Sequence, residues 1–232
     1  MTKQFSSVWT REPRQPKAAG LRREQIVATA LEVLDAEGLG ALSMRKLGAK
    51  LDAGATSLYW HVANKDELLE LTLDEIWGLV HIPDPDRTSW REVATTFAYN
   101  FRRTMLDHPW VATLIGSMPS VGPKAFELSD RLRRTFISAG FSGIDVYLAS
   151  GTVMSYVLGQ VIPEIAAEKV FGDKGLDAKM VLDAMDTLAA DYPEMLADYR
   201  ETLPTEPRTA RAMAFDFGLL CMLDGLESRL RK

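Results

Sequence analysis

From Ile26 to Leu230 the apolar residues of this chain recur at intervals of three and four. Nowhere do they alternate with polar residues over the roughly four to eight positions that a half-buried strand needs. That single period restricts the chain to helices packed on helices, and proline and glycine cut it into segments. A first helix is predicted over 22–37, with Ile26, Val27, Ala30, Leu31 and Leu34 on one stripe and Gly38 ending it. Ser43 is placed to cap a short second helix holding Met44, Leu47 and Leu51. Asp52-Ala53-Gly54 reads as a tight turn, and a third helix over 55–61 points Leu58 and Val62 inward. Asn64 caps a fourth helix reaching Val80, with Glu67 three residues on as in a capping box.

Pro83 and Pro85 mark a boundary, so the expected organisation is a flexible basic arm (1–20), a head (21–80) and a helical body (81–232). In the body, Ser89 caps a helix that Pro109 stops, and Pro123 opens one running to about Ala139. Ser142 opens a helix that Pro163 should break or kink; 178–190 is helical, 191–207 is interrupted by proline, and 208–231 is the last helix. The fold class is all-α. Cys221 is the single cysteine, which excludes an intrachain disulfide, and its apolar neighbours suggest a buried thiol. With no secretory pattern at the start and no run of 18 apolar residues, a cytoplasmic protein without a membrane helix is expected.

The net charge of −5 hides an asymmetry. Residues 1–65 carry 10 Lys+Arg against 6 Asp+Glu, whereas the remainder carries 17 against 26. A phosphate backbone would be repelled by the acidic body, which leaves the basic head as its only favourable face. Arg11, Arg14 and Lys17 in the arm could reach a minor groove, or the arm could be a tail with no role.

Residues 42–62 read LSMRKLGAKLDAGATSLYWHV. Two short helices joined by a small-residue turn, with Ala49, Leu51, Ala53, Gly54 and Leu58 on the seam, make a helix-turn-helix. The second helix of such a unit can enter the major groove by its N-terminal residues, here Ala55, Thr56 and Ser57, with Tyr59, Trp60 and His61 on the exposed side. Hydroxyls of Thr56, Ser57 and Tyr59 suit phosphates, and the Arg45 guanidinium suits guanine O6 and N7. Lys65, in the first turn of the fourth helix, adds its charge to free N–H groups and the helix dipole. A plain helical hairpin would share the pattern, but would leave three aromatics in a row without a partner.

The stretch from Arg22 to Ile76, with its Leu-Tyr-Trp-His-Val and Asn-Lys runs, resembles the head of the TetR family of transcriptional repressors, in particular those of tetracycline-repressor type. A fainter likeness continues through Ser89-Trp90 and the final helix. The resemblance implies an N-terminal helix-turn-helix domain, a helical ligand-binding and dimerisation domain, a double-stranded and palindromic operator, and repression relieved by a small molecule. It also implies DNA contacts by Arg45, Thr56, Ser57, Tyr59, Trp60, His61 and Lys65, while Gly54 and Ala55 depart from the longer polar residues of the tetracycline repressors. His81 lies at a drug-contacting position, but Phe97 replaces an amide, Ile115 a Mg²⁺-ligating histidine and Pro163 a carboxylate. No tetracycline–Mg²⁺ site is therefore expected, and the effector should be larger, and apolar or aromatic.

Members of this type dimerise through a four-helix bundle, and two stripes suit that role. One is Ile144, Leu148, Gly151, Ser155, Leu158 and Ile162; the other is Phe215, Leu219, Met222, Leu226 and Leu230. A homodimer would space two heads about 34–36 Å apart, one groove repeat, although both stripes could instead build a monomer core. Candidate pocket residues are His81, Phe97, Phe101 and Met105, with Ile115, Met118, Met154 and Val157 opposite, each equally readable as core. No cofactor, metal or enzyme activity is expected: the three histidines, His61, His81 and His108, lack ligand spacing, and no phosphate loop or nucleophile elbow occurs. Two further readings share the head: a ligand-free architectural DNA binder, for which the acidic body is excessive, and a protein adaptor, which predicts no salt-dependent DNA affinity.

Overall fold

The computed structural model describes residues 7–10, 21–172, 178–202 and 207–230. Among these the regular elements are all helical: α1 (Arg23–Glu37), α2 (Met44–Lys50), α3 (Ala55–Leu58), α4 (Lys65–Leu79), α5 (Trp90–Asp107), α6 (Val111–Leu114), α7 (Pro123–Ala139), α8 (Asp145–Phe171), α9 (Ala178–Leu188), α10 (Pro193–Thr202) and α11 (Pro207–Leu230), with a 3₁₀ turn at Leu39–Ala41. The basic arm residues Arg11, Arg14 and Lys17 lie outside the described residues.

Two compact units divide at Thr152/Val153, inside α8, and the first of them contains the proline-rich link near residue 80. The reason is α4. It packs on α1 and on α7, so the first unit runs through the link without a seam. Nearly every residue of α4 from Leu68 to Trp77 is buried, including the acids Glu70 and Asp74. A helix buried on all sides must satisfy such groups internally. Asp74 does so by accepting from the backbone N–H of Lys124 (3.3 Å) and Ala125 (3.0 Å), capping α7 from another helix, at a terminus where Pro123 has no N–H to satisfy. One turn earlier, Glu70 accepts from Ser7 Oγ (2.6 Å) and Val8 N (3.0 Å) of the N-terminal segment.

The second unit holds the C-terminal part of α8 with α9, α10 and α11. Val153, Val157 and Val161 of α8 and Phe215, Leu219, Leu223 and Leu226 of α11 are buried there. The Tyr156 ring lies 5.5 Å from that of Phe215 and its hydroxyl donates to the Phe215 carbonyl (2.7 Å). Arg211 pairs with the buried Glu164.

Several expectations need correction. α8 runs through Pro163 to Phe171; Pro163 and Gly159, whose carbonyl it frees, are both exposed, so that carbonyl is not buried without a partner inside the chain. α10 is regular where the prolines suggest interruption, because Pro193 sits in its first turn, where a missing N–H costs nothing. The third helix ends at Leu58, and residues to Val62 continue as turns; the four-residue α6 carries no periodic signal. Cys221 is exposed, since α11 turns its Leu219–Leu223 stripe inward instead. Among the described residues α8 is the one helix long and apolar enough to cross a membrane by length and composition.

The cap on α7 also explains Gly122: any Cβ there would overlap the Asp74 carboxylate. Gly122→Ala is expected to cost about 1–3 kcal/mol through overpacking, and Asp74→Ala about 3 kcal/mol by leaving two backbone N–H groups unsatisfied. Urea unfolding of each variant checks both.

Candidate nucleic-acid interface

The helix-turn-helix forms around one close approach. α2 starts at Ser43, whose Oγ accepts from Lys46 N (3.2 Å), as expected. It ends in a turn where Asp52 adopts φ 49° and Ala53 N donates to the Gly48 carbonyl (2.9 Å). A Cβ on Gly48 would lie 2.7 Å from the Ala53 carbonyl oxygen and 3.1 Å from Ala55 N. The bare backbone of Gly48 thus lets α3 close onto α2, with Leu47, Leu58 and Val62 fully buried beneath.

That packing leaves one outward surface. Arg45, Thr56 and Ser57 are exposed, as are Tyr59 (44%) and Trp60 (49%), while Ala55, His61 and Lys65 are half-buried. Apart from Lys65 at the start of α4, the residues expected to contact DNA lie on two adjoining short helices and the turn after them. Lys65 Nζ donates to the Leu39 carbonyl in the 3₁₀ turn (3.1 Å). At the start of α4, Asn64 Oδ1 accepts from Glu67 N (2.8 Å) and Glu67 reaches back to Ala63 N (2.7 Å). The reciprocal pair forms, shifted by one residue from a standard capping box.

The head is fastened to α5 and α6 by a contact separate from α4. Asp35 Oδ1, near the end of α1, accepts from Trp110 Nε1 (2.7 Å) and lies 2.7 Å from His108 Nδ1. His108 caps α5 and Trp110 precedes α6. Sequence reasoning missed this contact because it joins residues more than 70 positions apart.

The pocket candidates are less united. Phe97, Phe101 and Met105 are fully buried, and Phe101 stacks on Phe97 (5.5 Å) and on Trp77 (5.3 Å), a residue that periodicity alone does not single out. His81, expected in an apolar pocket, is exposed because the chain leaves α4 there; its carbonyl accepts from Asn100 Nδ2 (2.6 Å). It borders two cavities, of about 290 Å³ beside α5 and about 160 Å³ between α4 and α7. Ile115 and Met118 are half-buried and bridge one another; Met154 is half-buried and Val157 buried in the second unit.

Of the dimer candidates, Leu148, Gly151 and Ser155 are exposed and Leu158 is half-buried on α8. On α11 the expected stripe is corrected: Leu219 and Leu226 are buried and Met222 is half-buried within the chain's own second unit. The exposed apolar residues of α11 are Met213 (63%), Phe217 (73%) and Leu220 (57%).

An all-helical chain with a compact helix-turn-helix head presenting Arg45, hydroxyls and aromatics is built like a bacterial DNA-binding regulator. Comparison with known proteins is specific. The profile of bacterial regulatory proteins of the tetR family matches residues 26–72, and that of the tetracyclin repressor-like C-terminal domain matches 82–230. An HTH-type transcriptional regulator of Saccharopolyspora erythraea is 38% identical over 83% of this chain and 81% of its own length. The class E tetracycline repressor protein of Escherichia coli is 31% identical over 91% and 93%. Among solved structures, Streptomyces coelicolor ActR in complex with actinorhodin superposes with a TM-score of 0.78 at 28% identity, covering 92% of this chain and all of that one. BioQ with its double-stranded DNA operator gives 0.60 at 27% identity, covering 90% and 99%. The chain belongs to the TetR family of transcriptional regulators.

Gly48→Ala is expected to force α2 and α3 apart, lowering stability by about 1–3 kcal/mol. Thermal unfolding by circular dichroism checks it; an unchanged midpoint would contradict the close approach.

Proposed function

We propose that this chain is a homodimeric repressor that binds a palindromic operator through α2 and α3 and releases it when a small, apolar or aromatic effector enters the body. The observation that carries the proposal is the exposed surface of Arg45, Thr56, Ser57, Tyr59 and Trp60 over a fully buried seam. Two adjacent exposed aromatics are costly in water and suited to packing against a sugar-phosphate backbone. Ala55 and His61 lie at the margin of this surface. Lys65 would exchange the Leu39 carbonyl for a phosphate or bridge the two. The BioQ–operator and ActR–actinorhodin structures support DNA and small-molecule binding by proteins of this shape.

Release requires the effector to favour the state that does not bind DNA. The route is short. α4 carries Lys65 at its head end and Trp77 at its body end, and Asp74 ties it to α7. A ligand displacing Trp77, Phe101 or His81 would move a helix that cannot bend independently of the head, and the Asp35 contact gives the head a second restraint. Ile115 and Met118 remain effector-contact candidates in the first unit, and Met154 and Val157 in the second. For dimerisation, the apolar residues exposed on α8 and α11 give each helix a face to bury against a second copy, through Leu148, Gly151, Ser155 and Leu158 and through Phe217 and Leu220. A second copy suits α8 better than a bilayer, because Ser150, Thr152, Ser155 and Gln160 interrupt its apolar surface. With no membrane partner, the protein acts where the chromosome is, in the cytoplasm.

Fluorescence anisotropy on the DNA flanking its own gene should show sequence-selective binding that weakens steeply with salt. Arg45→Ala and Tyr59→Ala should each weaken it about tenfold or more, the worth of one good base or backbone contact. Salt-insensitive binding, or variants as tight as the parent, would oppose the assignment. Phe217→Arg should convert the dimer to a folded monomer by light scattering; a dimer that persists would place the interface elsewhere.

A further inference from the structure

Asp35 stands in the last turn of α1, where a carboxylate opposes the partial negative charge of the helix end, and no basic residue of that turn offsets it. Its neighbour Glu37 is paired with Lys46 inside the head. Asp35 reaches out of the head instead. Its Oδ1 accepts from Trp110 Nε1 (2.7 Å) and lies 2.7 Å from His108 Nδ1, so both donors converge on one oxygen. A carboxylate only accepts, so the His108 ring carries its proton on Nδ1 in this contact. The donors are firmly held. Trp110 is 5% exposed, the His108 and Trp110 rings meet edge to face at 6.4 Å and 71°, and Pro109 between them has a fixed φ. His108 N donates to the Thr104 carbonyl (3.0 Å) and Val111 N to the His108 carbonyl (3.0 Å), which ties the corner into α5 and α6. α5 in turn is anchored by Phe97, Phe101 and Met105, all fully buried.

We infer that Asp35 is a positioning residue: its grip on the α5–α6 corner fixes the separation of the two heads in the dimer, and with it the operator spacing that the dimer accepts. The inference rests on the homodimeric-repressor reading and adds to it the contact that measures half-site spacing. α1 packs on α4, and Asp35 fastens that pair to the body at a second point, away from the α4–α7 crossing. One base pair advances the duplex by about 3.4 Å and rotates it by about a tenth of a turn. A head held at two points therefore discriminates between spacings that a head held at one point tolerates. The Asp35 side chain is itself 35% exposed, so replacing it removes the contact without opening the core.

The test uses the full-length protein and the inverted repeat it selects from genomic fragments, remade with one base pair added or removed between the half-sites. The parent should prefer the selected spacing about tenfold or more, the scale of one mismatched base pair. Asp35→Ala and Trp110→Phe should each cut that preference to about threefold or less, and together should do no more than either alone, because they remove the same bond. Asp35→Asn, which keeps an acceptor for the indole, should restore most of it. The salt slope should match the parent's in every variant, since no phosphate contact is lost. A merely destabilised head would instead lower affinity for all spacings alike. Without DNA, spin labels at the exposed position of Lys50→Cys, in a Cys221→Ser background, should report one narrow distance between heads in the parent and a broader one in Asp35→Ala. If Trp110→Phe fails to fold, Asp35→Ala carries the test alone. An unchanged spacing preference, or an unchanged distance distribution, in Asp35→Ala would overturn the inference. Broadened distances in a protein that selects no repeat would sink the repressor reading and leave the positioning role of Asp35 standing.

Discussion

The first unit depends on two buried carboxylates set four residues apart on one helix. Glu70 and Asp74 lie where a helix of this burial would ordinarily carry leucine, and each is retained by backbone N–H groups of a different segment. A buried carboxylate without such donors would be prohibitively costly. The N-terminal segment at Ser7–Val8 and the start of α7 must therefore stay in register with α4 for the unit to stand. Lys124 adds its pair with Glu75 at the same crossing. α4 is thereby less a linker between two domains than the axis of one.

This arrangement gives regulation a physical basis. The proposed recognition surface lies at one end of α4 and the Trp77–Phe101–Phe97 stack at the other, and side-chain hydrogen bonds from two directions hold the helix between them. Packed interfaces of this kind shift between discrete arrangements and do not deform continuously. A ligand need supply only the coupling of about 1–3 kcal/mol usual between linked sites.

Much of this was legible in the sequence where the signal was local. The caps at Ser43, Asn64 and Ser89 and the seam of Leu47, Leu58 and Val62 arise from residues a few positions apart. The hidden features depend on partners distant in the chain. Asp35 gives no sign that Trp110 will meet it, and Glu70 and Asp74 read as solvent-facing acids on an ordinary helix. On α11 two stripes are apolar, Phe215–Leu219–Leu223 and Met213–Phe217–Leu220, and periodicity alone cannot say which the chain keeps for itself. Phe97, Phe101 and Met105 were recognisable as inward residues, but whether they line a space or fill it depends on packing, and they fill it.

The central claim, a two-headed DNA reader built on α4, is tested most directly by sequencing the genomic fragments that the purified dimer retains at physiological salt. The account predicts one enriched inverted repeat with half-site centres about one helical turn, or a multiple of it, apart. Retention without any shared sequence, or enrichment of a single unpaired half-site, would contradict it.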